Sequence, residues 1–168
     1  MIETARLLLR PMRAEDTDEL LHIFANPNVM ASFGVAPFDR AQMAQWVQRN
    51  LEHQDRHGYG LFSVMLKTTG LLIGDCGLEH MDVDGVDVDE LGYDFRSDYW
   101  NHGLATEAAT AVRAYAFHVL KLPSLISLIR QGNVASQRVA EKIGMRRERA
   151  LTRHGHAYWL YTIANETS

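Results

Sequence analysis

Gly103, Ala105 and Thr106 stand where a strand-like run, ELGYDF (Glu90–Phe95), gives way to a helix-forming one, in the stretch YWNHGLATEAATAVRAYAF from Tyr99 to Phe117. A helix start leaves backbone N–H groups without partners, and the helix dipole adds partial positive charge there. An anion, typically a phosphate, is the natural ligand of that arrangement. Gly103 removes a side chain where the anion would approach, and Ala105 keeps the next position small. Thr106 can cap the helix or offer its hydroxyl to the same anion. There is no Gly-Lys-Ser or Gly-Lys-Thr of a P-loop, and the second and third glycines of a dinucleotide fingerprint are missing. The other reading is an ordinary strand–helix turn, in which Glu107 satisfies the dipole without a ligand.

Other residues offer weaker chemistry. His53 and His57 are spaced i, i+4, as a metal pair would be, but no third ligand accompanies them and Glu52, Gln54, Asp55 and Arg56 mark a solvated helix end, so no metal is expected. His154 and His156 flank Gly155 as turn residues. The acidic run Asp82, Asp84, Asp87, Asp89 and Glu90 lacks EF-hand spacing and reads as a soluble turn that could also draw a cationic peptide or polyamine to a cleft.

The elements that position these residues follow from pattern. ARLLLRPM reads as a first strand, Arg6 to Arg10, stopped by Pro11. AEDTDELLHIFAN is a helix with acids early and Leu20, Leu21 and Phe24 on one face. DRAQMAQWVQRNLEHQDRHG is a second helix, with Met43, Trp46, Val47 and Leu51 at helical spacing and Gly58 as its stop. GLFSVML and LLIGDCGLEHM are two strands joined by Lys67–Gly70, and an acidic turn, DVDGVDV, leads into DELGYDF. The next helix starts near Thr106 and runs to about Leu120. SLISLIR has the nearly continuous apolar pattern of a strand buried on both faces. NVASQRVAEKIGM is a short helix closed by Gly144, and RRERALTR and AYWLYTIA are closing strands. The order β-α-α-β-β-β-α-β-α-β-β predicts an α/β fold with a mixed, mostly antiparallel sheet, and the unit from Glu90 to Arg130 predicts a right-handed parallel crossover.

The 168 residues predict one domain, 1–168, with 46% hydrophobic and 23% charged residues. A net charge of −4 gives no sign of a nucleic-acid groove or a polybasic membrane anchor. One cysteine, Cys76, forms no intramolecular disulfide. MIETARLLLRP has too short an apolar run for a signal peptide, and no run approaches the ~18 residues of a membrane helix. A cytoplasmic location is the expectation.

LGYDFRSDYWNHGLATEA resembles the acetyl-CoA-binding motif of the GNAT superfamily of N-acyltransferases, in particular the Rim-type branch that acetylates N-terminal amines of ribosomal proteins. GNVASQRVAEKIGM resembles the later Asn-x-x-Ser motif and its helix, and ARLLLRPMRAED the first strand and helix start. The resemblance implies a GNAT fold in which the strands DELGYDF and SLISLIR splay apart. It implies acetyl-CoA as co-substrate, no metal, and an amine acceptor that is a protein N-terminus or a small molecule such as an antibiotic, amino acid or polyamine. By the same resemblance Asn101, His102, Gly103, Leu104, Ala105 and Thr106 wrap the pyrophosphate. Backbone groups of Tyr93 and Phe95 pair with the pantetheine arm, Asn133 hydrogen-bonds it, and Ser136 lies near the sulfur. A backbone N–H near Phe95 is the oxyanion donor, and Ser136 is the acid in place of the family's usual tyrosine, whose position is Ala140. Glu90 (carried as catalytic), Glu79 and His80 are candidate bases, each also readable as a solvated strand-end side chain, and Phe33, Phe38 and Trp46 are candidates to border the acceptor. Asn101 replaces the usual first glycine of the loop and His102 the usual Lys or Arg, which makes phosphate binding weaker or pH-sensitive. A homodimer is the family habit. A binding module of this fold without turnover is the competing class, and transfer to an amine separates the two.

Overall fold

The computed structural model describes residues 1–166. In chain order its elements are β1 (Ile2–Glu3), β2 (Leu7–Pro11), α1 (Thr17–Phe24), α2 (Pro27–Ala31), α3 (Arg40–His57), β3 (Leu61–Leu66), β4 (Leu72–Val83), β5 (Val86–Phe95), α4 (Leu104–His118), β6 (Ser124–Arg130), α5 (Val134–Lys142), β7 (Arg146–Arg153) and β8 (His156–Ala164). Among the described residues eight strands form one mixed sheet in the order β1-β2-β3-β4-β5-β6-β8-β7.

Most elements lie where the residue pattern puts them. α3 starts on an Asp39 capping box and ends on Gly58, whose φ of 77° is the left-handed conformation a helix stop requires. The sequence expectation lacks β1, a two-residue edge, and α2, a single turn that begins on Asn26 and Pro27. Pro11 closes β2 from within, beyond the reach of β1, which pairs only with Leu8 and Leu9. α4 begins at Leu104 rather than near Thr106, because Gly103 is the N-cap with φ 75°. The acidic turn shrinks to Asp84–Gly85, since β4 and β5 stay in register from Gly74↔Phe95 to Val83↔Val86.

Helices cover both faces of the sheet. Leu9, Val64, Cys76, Leu78 and Leu91 pack under Ala108, Val112 and Ala116 of α4. On the other face Leu61 and Leu72 pack under Leu20, Ile23, Met43 and Val47 of α1 and α3. Leu61 and Phe62 are successive and enter different clusters, as strand alternation dictates.

Among the described residues β5 and β6 are the one parallel pair. They meet at Glu90↔Ile126 and separate toward Phe95, so the expected splay is present. Two side chains bridge its closed end: Ser127 Oγ donates to the Leu91 carbonyl (2.6 Å) and the Leu128 N–H donates to Glu90 Oε2 (2.8 Å).

Candidate functional site

The splay holds a cavity of about 150 Å³. Glu90 to Asp94 of β5 and Ser127 to Arg130 of β6 form its sides, Asn133 and Ser136 of α5 one end, and Phe33 and Tyr158 the rest of the lining.

Backbone alternation sets what β5 offers there. The Arg96 N–H donates to the Ile73 carbonyl (2.9 Å), which makes Phe95↔Gly74 a non-hydrogen-bonded pair of the antiparallel β4–β5 ladder. The N–H and C=O groups of Leu91, Tyr93 and Phe95 therefore face away from β4, into the splay. The Leu91 carbonyl takes Ser127 and the Phe95 carbonyl takes Trp100 Nε1 (2.9 Å). An extended ligand in the gap would meet the remaining groups as an added strand would.

Beyond Phe95, at the open end of the splay, residues 96–103 connect β5 to the N-terminus of α4. Asn101 has φ 64°, a left-handed conformation that asparagine tolerates, which accounts for its standing where glycine is usual. No side chain caps α4. Thr106 lies in its first turn and Glu107 turns away, so neither plays the capping role the sequence allowed. Glu107 accepts from Thr4 Oγ1 (2.6 Å), the Arg6 N–H (2.9 Å) and Arg6 Nε (2.7 Å), and these donors hold its carboxyl below the usual range against the cost of partial burial. Arg6 Nη1 also donates to the His102 carbonyl (2.8 Å). A Cβ at Gly103 would meet only Arg6 Nη2, at 3.5 Å. The residues thus fit a phosphate: first-turn N–H groups of Leu104, Ala105 and Thr106, an open approach over Gly103, and at the edge the guanidinium of Arg6, whose charge Glu107 balances. His102 itself is exposed.

At the α5 end, Asn133 Oδ1 caps the helix by accepting the Ser136 N–H (3.2 Å). The Ser136 carbonyl accepts Tyr93 Oη (2.6 Å), and the Ser136 side chain borders the cavity. Ala140 is fully buried and brings no hydroxyl. Tyr158 of β8 supplies a second O–H-bearing side chain that sequence reasoning passed over.

The carboxyl groups lie on the α1–α3 side. Burial pushes Glu90 up to about 8, only partly opposed by the Leu128 N–H. Glu79 faces it in register across β4 and β5; it is exposed, and its carboxyl is raised by the partial desolvation of its strand neighbourhood, opposed by Arg153 and Arg49. His80 points to the other side, where Nδ1 meets Asp89 Oδ1 (3.0 Å), so it leaves the set of bases. Phe33 lines the cavity, whereas Phe38 and Trp46 pack on Phe24. His53 Nε2 accepts the His80 N–H (2.8 Å), which occupies the lone pair a metal would need. The sequence reading missed Asp75 and Asp94, which face each other in register, Asp75 at 1% exposure and Asp94 on the cavity wall.

Comparisons with known proteins bear on the family and the fold. Residues 6–146 match the family model for the acetyltransferase (GNAT) domain. The chain is 36% identical over 143 residues to the uncharacterized protein YkkB of Bacillus subtilis (strain 168), with 84% of this chain and 83% of that protein covered. The fold matches an acetyltransferase (GNAT family) from Bacillus anthracis with a TM-score of 0.82 at 28% identity over 98% of each chain. It matches AAC(6')-Ib, solved with paromomycin and acetyl-CoA, with a TM-score of 0.80 at 17% identity over 96% of this chain and 94% of that one. No helix among the described residues is long and apolar enough to cross a membrane.

Proposed function

The chain belongs to the GNAT acetyltransferase family, and on that premise we propose that it moves the acetyl group of acetyl-CoA to a primary amine by direct attack. The observation that carries this reading is the succession of splay and uncapped helix start: backbone groups of Tyr93 and Phe95 face the gap, and the chain runs on from Phe95 to Gly103 and the N-terminus of α4. Acetyl-CoA bound along the gap supplies an activated thioester carbonyl at the closed end.

The chain's own residues then do the following. The backbone of Asn101 to Thr106 and the Arg6 guanidinium bind the pyrophosphate. Tyr93, Phe95 and Asn133 align the pantetheine arm, which is most of what a direct transfer requires. The oxyanion donor has to lie toward the Glu90 end of β5, so a splay-facing N–H deeper than Phe95, that of Tyr93, meets the carbonyl oxygen as negative charge grows on it. Glu90 takes the proton that the amine nitrogen loses as its bond to the acyl carbon forms, and the Ser136 hydroxyl gives a proton to the departing sulfur and regains one from water. Glu90, raised to about 8, is matched to deprotonating an ammonium near neutral pH.

The Rim-type likeness of LGYDFRSDYW and of the Asn133–Ser136 motif supports a protein N-terminal amine as acceptor. The carboxyl-lined cavity favours a small cationic amine.

Thermal melting with and without acetyl-CoA tests the reading, on the native chain and on Gly103→Asp. A ligand that binds only the folded state stabilises it, by about 2.7 kcal/mol at a hundred times its Kd. The native chain is expected to shift and Gly103→Asp not to, after which a panel of amines is screened for free-thiol release. No shift in the native chain would overturn the reading, and a shift without thiol release from any amine would favour the binding module.

A further inference from the structure

Three cross-strand pairs on the α1–α3 side of β4 and β5 stand in sequence: Asp75↔Asp94, Gly77↔Gly92 and Glu79↔Glu90. Directly opposed residues of an antiparallel pair share a face, as do residues two apart on one strand, so all six side-chain positions look the same way. The result is a trough. Its open floor is Gly92, with nothing within 4 Å of where a Cβ would stand, whereas the backbone of Gly60 and Leu61 covers Gly77 and walls the trough on the β4 side. Each end carries two carboxyl groups, about 13 Å apart along the strand at ~3.3 Å per residue.

Among the described residues none of these four carboxyls forms a salt bridge. Neither oxygen of the buried Asp75 has a hydrogen-bond donor in the chain. Its neighbour is the carboxyl of Asp94, which opens on the cavity. Arg130 is the cation on the cavity wall, and its Nη1 is turned to the Phe33 carbonyl (2.7 Å). Arg49 and Arg153 act on Glu79 from a distance. A fully buried acid beside a half-buried one, without a cation, is costly to keep and has to be neutralised by a proton or by a ligand.

We propose that the acceptor is a linear amine with at least two cationic groups, a diamine or polyamine, lying along this trough with its reacting nitrogen at Glu90 and a second ammonium held by the Asp75–Asp94 pair. The inference deepens the acetyltransferase reading and rests on it for the position of the reacting nitrogen. The closed end of the splay, where the thioester would lie, is the Glu90 end, so the pair of aspartates sits about four residues back toward the mouth. Asp75, held neutral by burial and by the Asp94 charge, gives up its proton when the ammonium takes its place. An acceptor with one amine leaves the pair as it is and gains nothing from it.

The test is calorimetric binding of α,ω-diaminoalkanes of increasing length against 1-aminoalkanes of equal length, to the chain alone and with CoA present. Charge-assisted hydrogen bonds to the pair should make the diamine of matching length about tenfold tighter or more. Asp94→Asn and, independently, Asp75→Asn should bring that ratio to within about twofold of unity, while Asp84→Asn, on the exposed β4–β5 turn, keeps it. Equal binding of diamine and monoamine by the native chain would overturn the proposal, as would a preference that both aspartate variants retain. Melting with acetyl-CoA separates the two layers: a shift with acetyl-CoA but no diamine preference sinks the acceptor class alone, whereas no shift with acetyl-CoA sinks the transferase reading.

Discussion

Arg6 ties the first residues of the chain to the cofactor loop: its guanidinium donates to the His102 carbonyl and, through Nε, to Glu107 one turn into α4. The contact spans about a hundred residues of sequence and gives the loop a fixed charge that His102 does not supply.

Arg6→Gln is therefore expected to raise KM for acetyl-CoA, by about three- to tenfold given that the ion pair is half-exposed, and to leave kcat nearly unchanged. The substitution also frees the Glu107 carboxylate beside the phosphate site, so Arg6→Gln with Glu107→Gln should bind acetyl-CoA better than Arg6→Gln alone. Steady-state kinetics over acetyl-CoA concentration checks both.

On the proposed mechanism Glu90 sets the acid side of the rate profile. As its carboxyl is pushed up to about 8, kcat/KM should rise as pH increases through that region, where the base loses its proton. Glu90→Gln should lower kcat by about a hundredfold and remove that limb. A limb that persists in the variant would assign the base elsewhere.

Stability should run the other way. Glu90 near 8 and Asp94 near 6 both lie above the values they take in an unfolded chain. From about pH 4 to about pH 8 the native state holds protons the unfolded state has released, so unfolding free energy falls as pH rises through that window. Denaturant melts between about pH 5 and about pH 9 should show the decline, and Glu90→Gln should flatten its upper part.

Ser136→Ala separates the acid from its scaffold. The Tyr93 hydroxyl bonds the backbone carbonyl of Ser136 and Asn133 caps its N–H, so the substitution leaves both contacts in place. A fall in kcat of about ten- to a hundredfold with KM for acetyl-CoA unchanged is expected if the hydroxyl protonates the sulfur. An unchanged kcat would move that role to Tyr158 or to water.

Local signals in the sequence carry most of the fold. Gly58 ends α3 as a helix-stop glycine should, and SLISLIR reads as the doubly buried strand it is. Gly103 marks the start of α4, though its left-handed N-cap moves the helix two residues ahead of the Thr106 start expected from capping chemistry. The acidic trough is a different matter. Asp75 sits inside the apolar run LLIGDCGLEHM, and nothing local says that it opposes Asp94, because register across a long hairpin fixes the pairing. Arg6 and Tyr158 reach the site through tertiary packing alone, which leaves no periodicity to read.

The strand order has a consequence for synthesis. β8 follows β7 in the chain yet lies between β7 and β6, so β7 has no place in the sheet until residues 156–164 exist to receive it. A nascent chain halted at His154 would expose the edge of β6, and it would lack Tyr161, which is fully buried in the finished core. Closing the sheet and completing the wall of the β5–β6 cavity at Tyr158 are thus one late folding event, and a ribosome-bound fragment ending before β8 should be captured by chaperones and unable to bind acetyl-CoA.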